Sequence, residues 1–180
     1  MLKVLDNFLP QDQFKPIQDF FFSSELDWRW NNSIAGENDN LNNFQFNHVF
    51  FNVRNPYLDR KFSPYCNYLK PIFIKLAPMY TLRVKANLRP RTSFPHKANW
   101  HTDIGVDSLT AIYYMNSNNG YTEFESGEIV DTVENRMVIF NSDIKHHGVS
   151  CTDQKRRIVL NINYVPGVTS PDDPTWYIPD

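Results

Sequence analysis

The sequence holds little cysteine, has no long apolar run and favours neither sign of charge. Its two cysteines, Cys66 and Cys151, lie 85 positions apart with no metal-binding spacing around either. A cysteine-built metal site is not indicated; a single disulfide stays open, and two free thiols are the expectation. No segment approaches the about 18 apolar residues that span a bilayer. The start, MLKVLDNFLPQDQF, lacks the apolar stretch of a signal peptide, and Phe20-Phe21-Phe22 is the best apolar cluster nearby. The expectation is a soluble, cytoplasmic protein with no membrane partner. Eighteen Lys and Arg against 20 Asp and Glu leave a net charge of -2, with a pI near 6.2. That balance speaks against a dedicated nucleic-acid binder. There is no internal repeat and no linker.

What is present suffices for a core. Hydrophobic residues make up 41% and aromatics 15% of the 180 residues, so one domain over 1–180 is expected. Within it, 1–79 forms a helical and strand support, 80–166 a β core and 167–180 an irregular tail carrying Trp176 and Tyr177. Charge is unevenly spread. Arg60, Lys61, Lys70, Lys75, Arg83, Lys85, Arg89, Arg91 and Lys97 lie in a stretch from Arg60 to Trp100 that has no carboxylate. Two readings stay open: a solvated face balanced by acids folded beside it, or a basic rim around a site for an anionic ligand.

Periodicity divides the chain. Pro10 opens a helix whose residues Phe14, Ile17, Phe20 and Phe21 share one face. Asp27–Trp30 and Phe44–Phe50 alternate in the period of two that marks half-buried strands, and 35–43 reads as a polar loop. A second helix is predicted from about Tyr57 to Lys75, with Pro64 and Pro71 as possible kinks and Ala77-Pro78 as its end. Beyond Tyr80 the pattern is nearly all strand: Tyr80–Leu88, Leu109–Asn116, Glu123–Glu125, Glu128–Val130, Arg136–Phe140, Gly148–Ser150 and Arg157–Val165. Asn118-Asn119-Gly120, Ser126-Gly127 and Thr152-Asp153-Gln154 supply turns. This predicts a mainly β, two-sheet antiparallel barrel or jelly roll with flanking N-terminal helices.

Of the five histidines, His48 reads as a satisfied core or surface residue. His101 stands in Trp100-His101-Thr102-Asp103, where an imidazole and a carboxylate two apart point the same way on an extended chain and can reach one ion. A third ligand is available after the apolar run Met137–Phe140, at His146 or His147; adjacent strand residues face opposite ways, so only one of them can ligate. Two histidines and one carboxylate on one octahedral face leave positions open, as a non-haem Fe(II) oxygenase requires. Arg156 and Arg157 then open the strand Ile158–Tyr164. An arginine there can grip a carboxylate of a ligand that chelates the metal, a bidentate task lysine performs less well. Asn87 and Arg89 stand on the strand before His101, facing either solvent or ligand.

Together these motifs resemble the 2-oxoglutarate- and Fe(II)-dependent dioxygenases, in their prolyl 4-hydroxylase-like branch. The resemblance is densest from Val84 to Tyr164, and Val4–Leu9 is similar to the family's opening strand. Thr110-Ala111-Ile112-Tyr113-Tyr114-Met115-Asn116 resembles the central strand, Gly120–Phe124 the next and Arg136–Asp143 the run before the distal histidine. The resemblance implies a double-stranded β-helix, with Fe(II) on His101, Asp103 and His147. His147 is preferred to His146 because His147-Gly148-Val149, followed ten residues on by Arg157, is nearer the family pattern. Tyr114 and Arg157 are implied to hold the far carboxylate of 2-oxoglutarate. O2 would be the second co-substrate, ascorbate a possible reductant, and a peptidyl residue, with proline first, the favoured substrate. Asp103 speaks against halogenation, since related halogenases lack that carboxylate. An anionic small molecule or nucleotide is the alternative substrate. A non-catalytic jelly-roll metal-binding module is a rival reading, as is a cupin-type enzyme without co-substrate; the Arg157 and Tyr114 pair argues against both.

Overall fold

Alternation of apolar and polar residues along the strands gives each sheet two different faces, and the fold follows from what covers each. The computed structural model describes residues 2–36, 41–53, 62–104 and 107–167. Seven strands form one antiparallel sheet: β1 (Leu2–Leu5), β2 (Arg29–Asn31), β3 (Gln45–Asn52), β4 (Pro78–Pro90), β5 (Leu109–Tyr114), β8 (Met137–Asn141) and β10 (Arg156–Pro166), in the order β1-β8-β5-β10-β4-β3-β2. A second sheet holds β7 (Ile129–Asp131), β6 (Tyr121–Phe124) and β9 (His146–Val149), in that order. This is the expected jelly roll.

Helix α1 (Gln11–Phe22) starts after Pro10, whose carbonyl accepts from the Gln13 and Phe14 N–H groups at 3.0 and 2.9 Å. Phe14, Ile17, Phe20 and Phe21 are all buried, as their spacing predicts. The second helix is shorter than expected. Residues 57–61 lie outside the described residues, Cys66–Leu69 form one 3-10 turn, and α2 covers only Lys70–Leu76. Pro71 stands in the first turn of α2, where its missing N–H costs no helical bond. Ala77, at φ 44°, ends the helix.

Both helices cover one face of the large sheet. There Val84, Ala86 and Leu88 of β4, Ala111 and Tyr113 of β5, and Ile158, Leu160 and Ile162 of β10 meet Phe8, Phe14, Ile17, Phe21, Ile72 and Leu76. Each of the larger aliphatic and phenylalanine side chains among them contributes about 1.5–3 kcal/mol on burial. The opposite face looks at the small sheet. Ile112, Tyr114, Val138, Phe140 and Val159 pack there against Phe124 and Val130 in a smaller core. That core fills only part of the gap, and polar residues of β4 and β10 line the rest. Residues 168–180, with Trp176 and Tyr177, lie outside the described residues. Among the described residues, no helix is long and apolar enough to cross a membrane.

Candidate functional site

The segment between β4 and β5 crosses the end of the small sheet and pairs with β9. His101 and His146 are bridge partners, exchanging backbone N–H···O bonds of 3.1 and 3.0 Å. Asp103 is anchored by its N–H to the Ser142 carbonyl at 3.0 Å. Ligand atoms of His101, Asp103 and His146 then lie within 4.8 Å of one another. The Nδ1 atoms of His101 and His146 each face a backbone carbonyl at 3.1 Å, Asn99 and Ile144 respectively. A carbonyl only accepts, so each Nδ1 carries the proton and each Nε2 keeps its lone pair free.

Asp103 is equally prepared. Its Oδ1 accepts from Arg83 Nη2 at 2.8 Å, and its Oδ2 from Thr110 Oγ1 and Asn161 Nδ2, each at 3.0 Å. A carboxylate has about four lone-pair positions, so these bonds leave one for a metal. Burial alone would raise the Asp103 carboxyl. Arg83, His146, the Asn161 amide and His101 outweigh it and hold the group at about 2. Burial pushes the His146 pKa down against the pull of Asp103, favouring the neutral imidazole a metal needs. Two neutral imidazoles beside an ionised carboxylate fit a divalent metal of the Fe(II) kind with positions left open.

His147 corrects the expectation that placed it in this trio. It is buried, but its side chain leaves β9 on the face opposite His146, as strand alternation demands. Its ring stacks on Trp100 with centroids 3.9 Å apart, and its Nε2 lies 2.9 Å from Glu123 Oε2. Glu123 in turn pairs with Lys97 at 2.6 Å. The two faces of one bridge thus differ: His101 and His146 meet on the inside, Trp100 and His147 on the outside.

From His101, Asp103 and His146 a cavity of about 430 Å³ extends over β4 and β10. Among its lining residues are Arg83, Lys85, Asn87 and Arg89 of β4, Arg157, Val159 and Asn161 of β10, and Thr122 of β6. Arg157 is buried, with Nε donating to Thr132 Oγ1 at 2.8 Å and Nη2 to Thr122 Oγ1 at 3.2 Å. Gly120 makes room for it: a Cβ there would come within 2.9 Å of Arg157 Cδ and 2.7 Å of the Val149 carbonyl. Arg156 points the other way, over the Phe22 ring at 4.6 Å. Tyr114 lies beneath Arg157, whose guanidinium is 5.5 Å from the ring centre, and its hydroxyl donates to Thr122 Oγ1 at 2.8 Å. Tyr114 therefore meets the cavity through Thr122 and Arg157.

Asn87 and Arg89 face this cavity, as do Arg83 and Lys85 of the basic stretch, and Thr122 and Asn161 join them unanticipated. The available signal was the alternation Arg83-x-Lys85-x-Asn87-x-Arg89 interleaved with Val84, Ala86 and Leu88. The basic stretch accordingly splits. Its β4 members line the cavity, whereas Lys70, Arg91 and Lys97 are exposed and Lys75 is half-buried; Arg60 and Lys61 lie outside the described residues. Arg89 is buried, and desolvation, then Arg157 nearby, bring its pKa down to about 9. Its guanidinium donates to the Gly148 and His96 carbonyls at 2.8 and 3.2 Å and meets His96 Nδ1 at 2.9 Å. Lys85 is brought to about 8 by desolvation and by Arg83, against the opposing pull of Asp103.

No protein-family model and no curated protein matches this sequence. Solved structures do match in shape. One is a prolyl hydroxylase from Trichoplax adhaerens in complex with a peptide of the hypoxia-inducible factor oxygen degradation domain (14% identity, TM-score 0.59, covering 91% of this chain and 83% of that one). Another is a Pseudomonas putida prolyl-4-hydroxylase (14%, TM-score 0.58, 91% and 92%). A third is the non-heme alpha-ketoglutarate-dependent epimerase SnoN from nogalamycin biosynthesis (10%, TM-score 0.61, 91% and 78%). Jelly rolls host many reactions, and likeness at this identity speaks for architecture. The chain thus has the fold of the 2-oxoglutarate- and Fe(II)-dependent oxygenases, prolyl hydroxylases among them.

Proposed function

We propose that the protein is an Fe(II)- and 2-oxoglutarate-dependent dioxygenase acting as a hydroxylase, with His101, Asp103 and His146 as metal ligands. The observation carrying this reading is a cavity shared by a two-histidine, one-carboxylate trio and the buried Arg157. Asn161, which donates to Asp103, and Arg157 are four residues apart on β10, about 13 Å of strand, a span that the arginine side chain shortens. Fe(II) with 2-oxoglutarate and O2 would supply oxidative decarboxylation coupled to hydroxylation, and the chain supplies position. Arg157 holds the far carboxylate through the part of its guanidinium not spent on Thr132 and Thr122. Tyr114 supports that carboxylate site from beneath. Asn99 and Ile144 fix the two imidazole tautomers; Arg83, Thr110 and Asn161 orient Asp103.

A peptidyl residue, with proline first, is the substrate class the sequence resemblance supports. The cationic lining of the cavity favours a second reading, an anionic small molecule. The test needs neither: purified protein with Fe(II), ascorbate and 2-oxoglutarate should form succinate without a primary substrate. Asp103→Ala should abolish this, and Arg157→Ala should raise the 2-oxoglutarate requirement about 30-fold or more. No succinate from the parent protein, or an unchanged requirement in Arg157→Ala, overturns the reading.

A further inference from the structure

Among the described lining residues, four cations, Arg83, Lys85, Arg89 and Arg157, share the cavity with one carboxylate, Asp103. Arg83 is matched by Asp103 at 2.8 Å. Arg157 is the proposed holder of the co-substrate, and Arg89 spends its donors on Gly148 and His96. Lys85 alone of the four has an ammonium with no hydrogen bond or ion pair to any described residue. A divalent metal would add two positive charges and a bound dicarboxylate would remove two, so the excess persists in the loaded site. Beside Lys85, the buried Asn87 Oδ1 and Asn161 Oδ1 have no partner among the described residues. An unpaired cation in a confined cavity is costly unless something anionic completes it.

Building on the dioxygenase reading, we propose that Lys85 is the seat for a carboxylate or phosphate group of the primary substrate, with Asn87 and Asn161 accepting from its hydroxyl or amine. Lys85 stands on the cavity wall, one strand over from Asn161, its register partner on β10. The anionic group must therefore enter the cavity with the reacting carbon. That requirement selects a small acidic molecule over a peptide whose acids lie in flanking residues outside.

Calorimetry on Mn(II)-loaded, 2-oxoglutarate-saturated protein tests this with methyl phosphate, propionate and uncharged propionamide as probes. The two anions should bind at one per chain and propionamide should not; whichever anion is tighter identifies the group. Manganese should broaden the phosphorus NMR line of methyl phosphate, placing it in the metal cavity. Lys85→Gln should weaken anion binding at least tenfold while 2-oxoglutarate affinity stays within twofold, and Lys85→Arg should restore it. Equal anion binding by Lys85→Gln overturns the proposal. So does a tenfold loss of 2-oxoglutarate affinity in that variant, which would give the lysine to the co-substrate. An acid-flanked proline peptide binding independently of Lys85 overturns it in favour of the peptide class. Lys85-dependent methyl phosphate binding by a protein that takes no 2-oxoglutarate would leave the anion seat standing and remove the dioxygenase reading.

Discussion

Two adjacent histidines on one strand carry opposite duties, and the difference is one of direction. His146 turns inward to His101 and Asp103, its tautomer fixed by the Ile144 carbonyl. His147 turns outward, clamped between Trp100 and Glu123. In the proposed site, losing His146 would remove one of three metal bonds, whereas losing the outer stack would only loosen the segment that delivers His101. His146→Ala should therefore weaken Mn(II) binding by at least about 100-fold, and His147→Ala by about tenfold, the lower range for supporting residues around a metal. Calorimetric titration of both variants decides between them; tighter metal binding by His146→Ala than by His147→Ala would reverse the assignment. His48 shows a histidine in a purely structural setting. Its Nδ1 faces Asp27 and its Nε2 meets Ser63 Oγ at 2.8 Å, but that Oγ also accepts the Tyr65 N–H, so the hydroxyl ties the 62–66 turn to β3.

At the scale of elements, the helical support is fastened to the sheet through Asn135, in the turn before β8. This buried residue sits at φ 59°, its Oδ1 accepts from the Leu9 N–H at 3.0 Å and from the Tyr113 hydroxyl, and its Nδ2 donates to the Leu9 carbonyl at 2.7 Å. Asn135→Ala would lose about 1 kcal/mol for each of the three bonds and about 1 kcal/mol for a left-handed backbone that alanine resists. A loss of about 3–4 kcal/mol is expected in denaturant melts; a loss below about 1 would mean that α1 is held by packing alone. Strand alternation also explains what the sequence made legible. Parity along β10 separates Arg157 from Arg156, and the two-residue step from His101 to Asp103 puts both on one side. Parity cannot say what a polar face looks at. Arg83, Lys85, Asn87 and Arg89 are spaced as a solvent-facing row would be; the small sheet, the His101–Ile104 segment and the Ile34–Ala35 segment make that row the wall of a cavity. Which of His146 and His147 faces His101 and Asp103 is hidden for a related reason: both follow the same apolar strand, and the register of the His101 bridge is a tertiary fact. Apolar spacing runs on through Pro64 and so predicts a longer helix than forms; there the chain makes a turn and one 3-10 segment.

Across the whole molecule, a net charge of -2 conceals a cationic interior. Lys85 shows what that segregation costs. Its pKa falls from 10.5 to about 8 on folding because burial and Arg83 disfavour the ammonium. Between those values the unfolded chain binds more protons than the folded one, so stability rises with pH through the window from about 8 to 10.5. Below about pH 8 the full penalty applies. At about 1.36 kcal/mol per pKa unit it reaches about 3 kcal/mol, and cavity water reduces it to about 2–3 kcal/mol. Lys85→Met should accordingly be more stable than the parent by that amount at pH 7. The advantage should shrink to nothing by about pH 10.5, where both side chains are uncharged. Paired denaturant melts across pH 7–10.5 measure the difference, since titrations shared by the two proteins cancel. A constant difference, or a less stable variant at pH 7, would show that the ammonium is already matched in the free protein. Saturating Mn(II), 2-oxoglutarate and methyl phosphate should raise the parent above the variant at pH 7, because a ligand that binds only the folded state stabilises it by RT ln(1 + L/Kd), L being the free ligand concentration. A charge that weakens the empty protein then strengthens the filled one, as expected of a residue kept for its ligand.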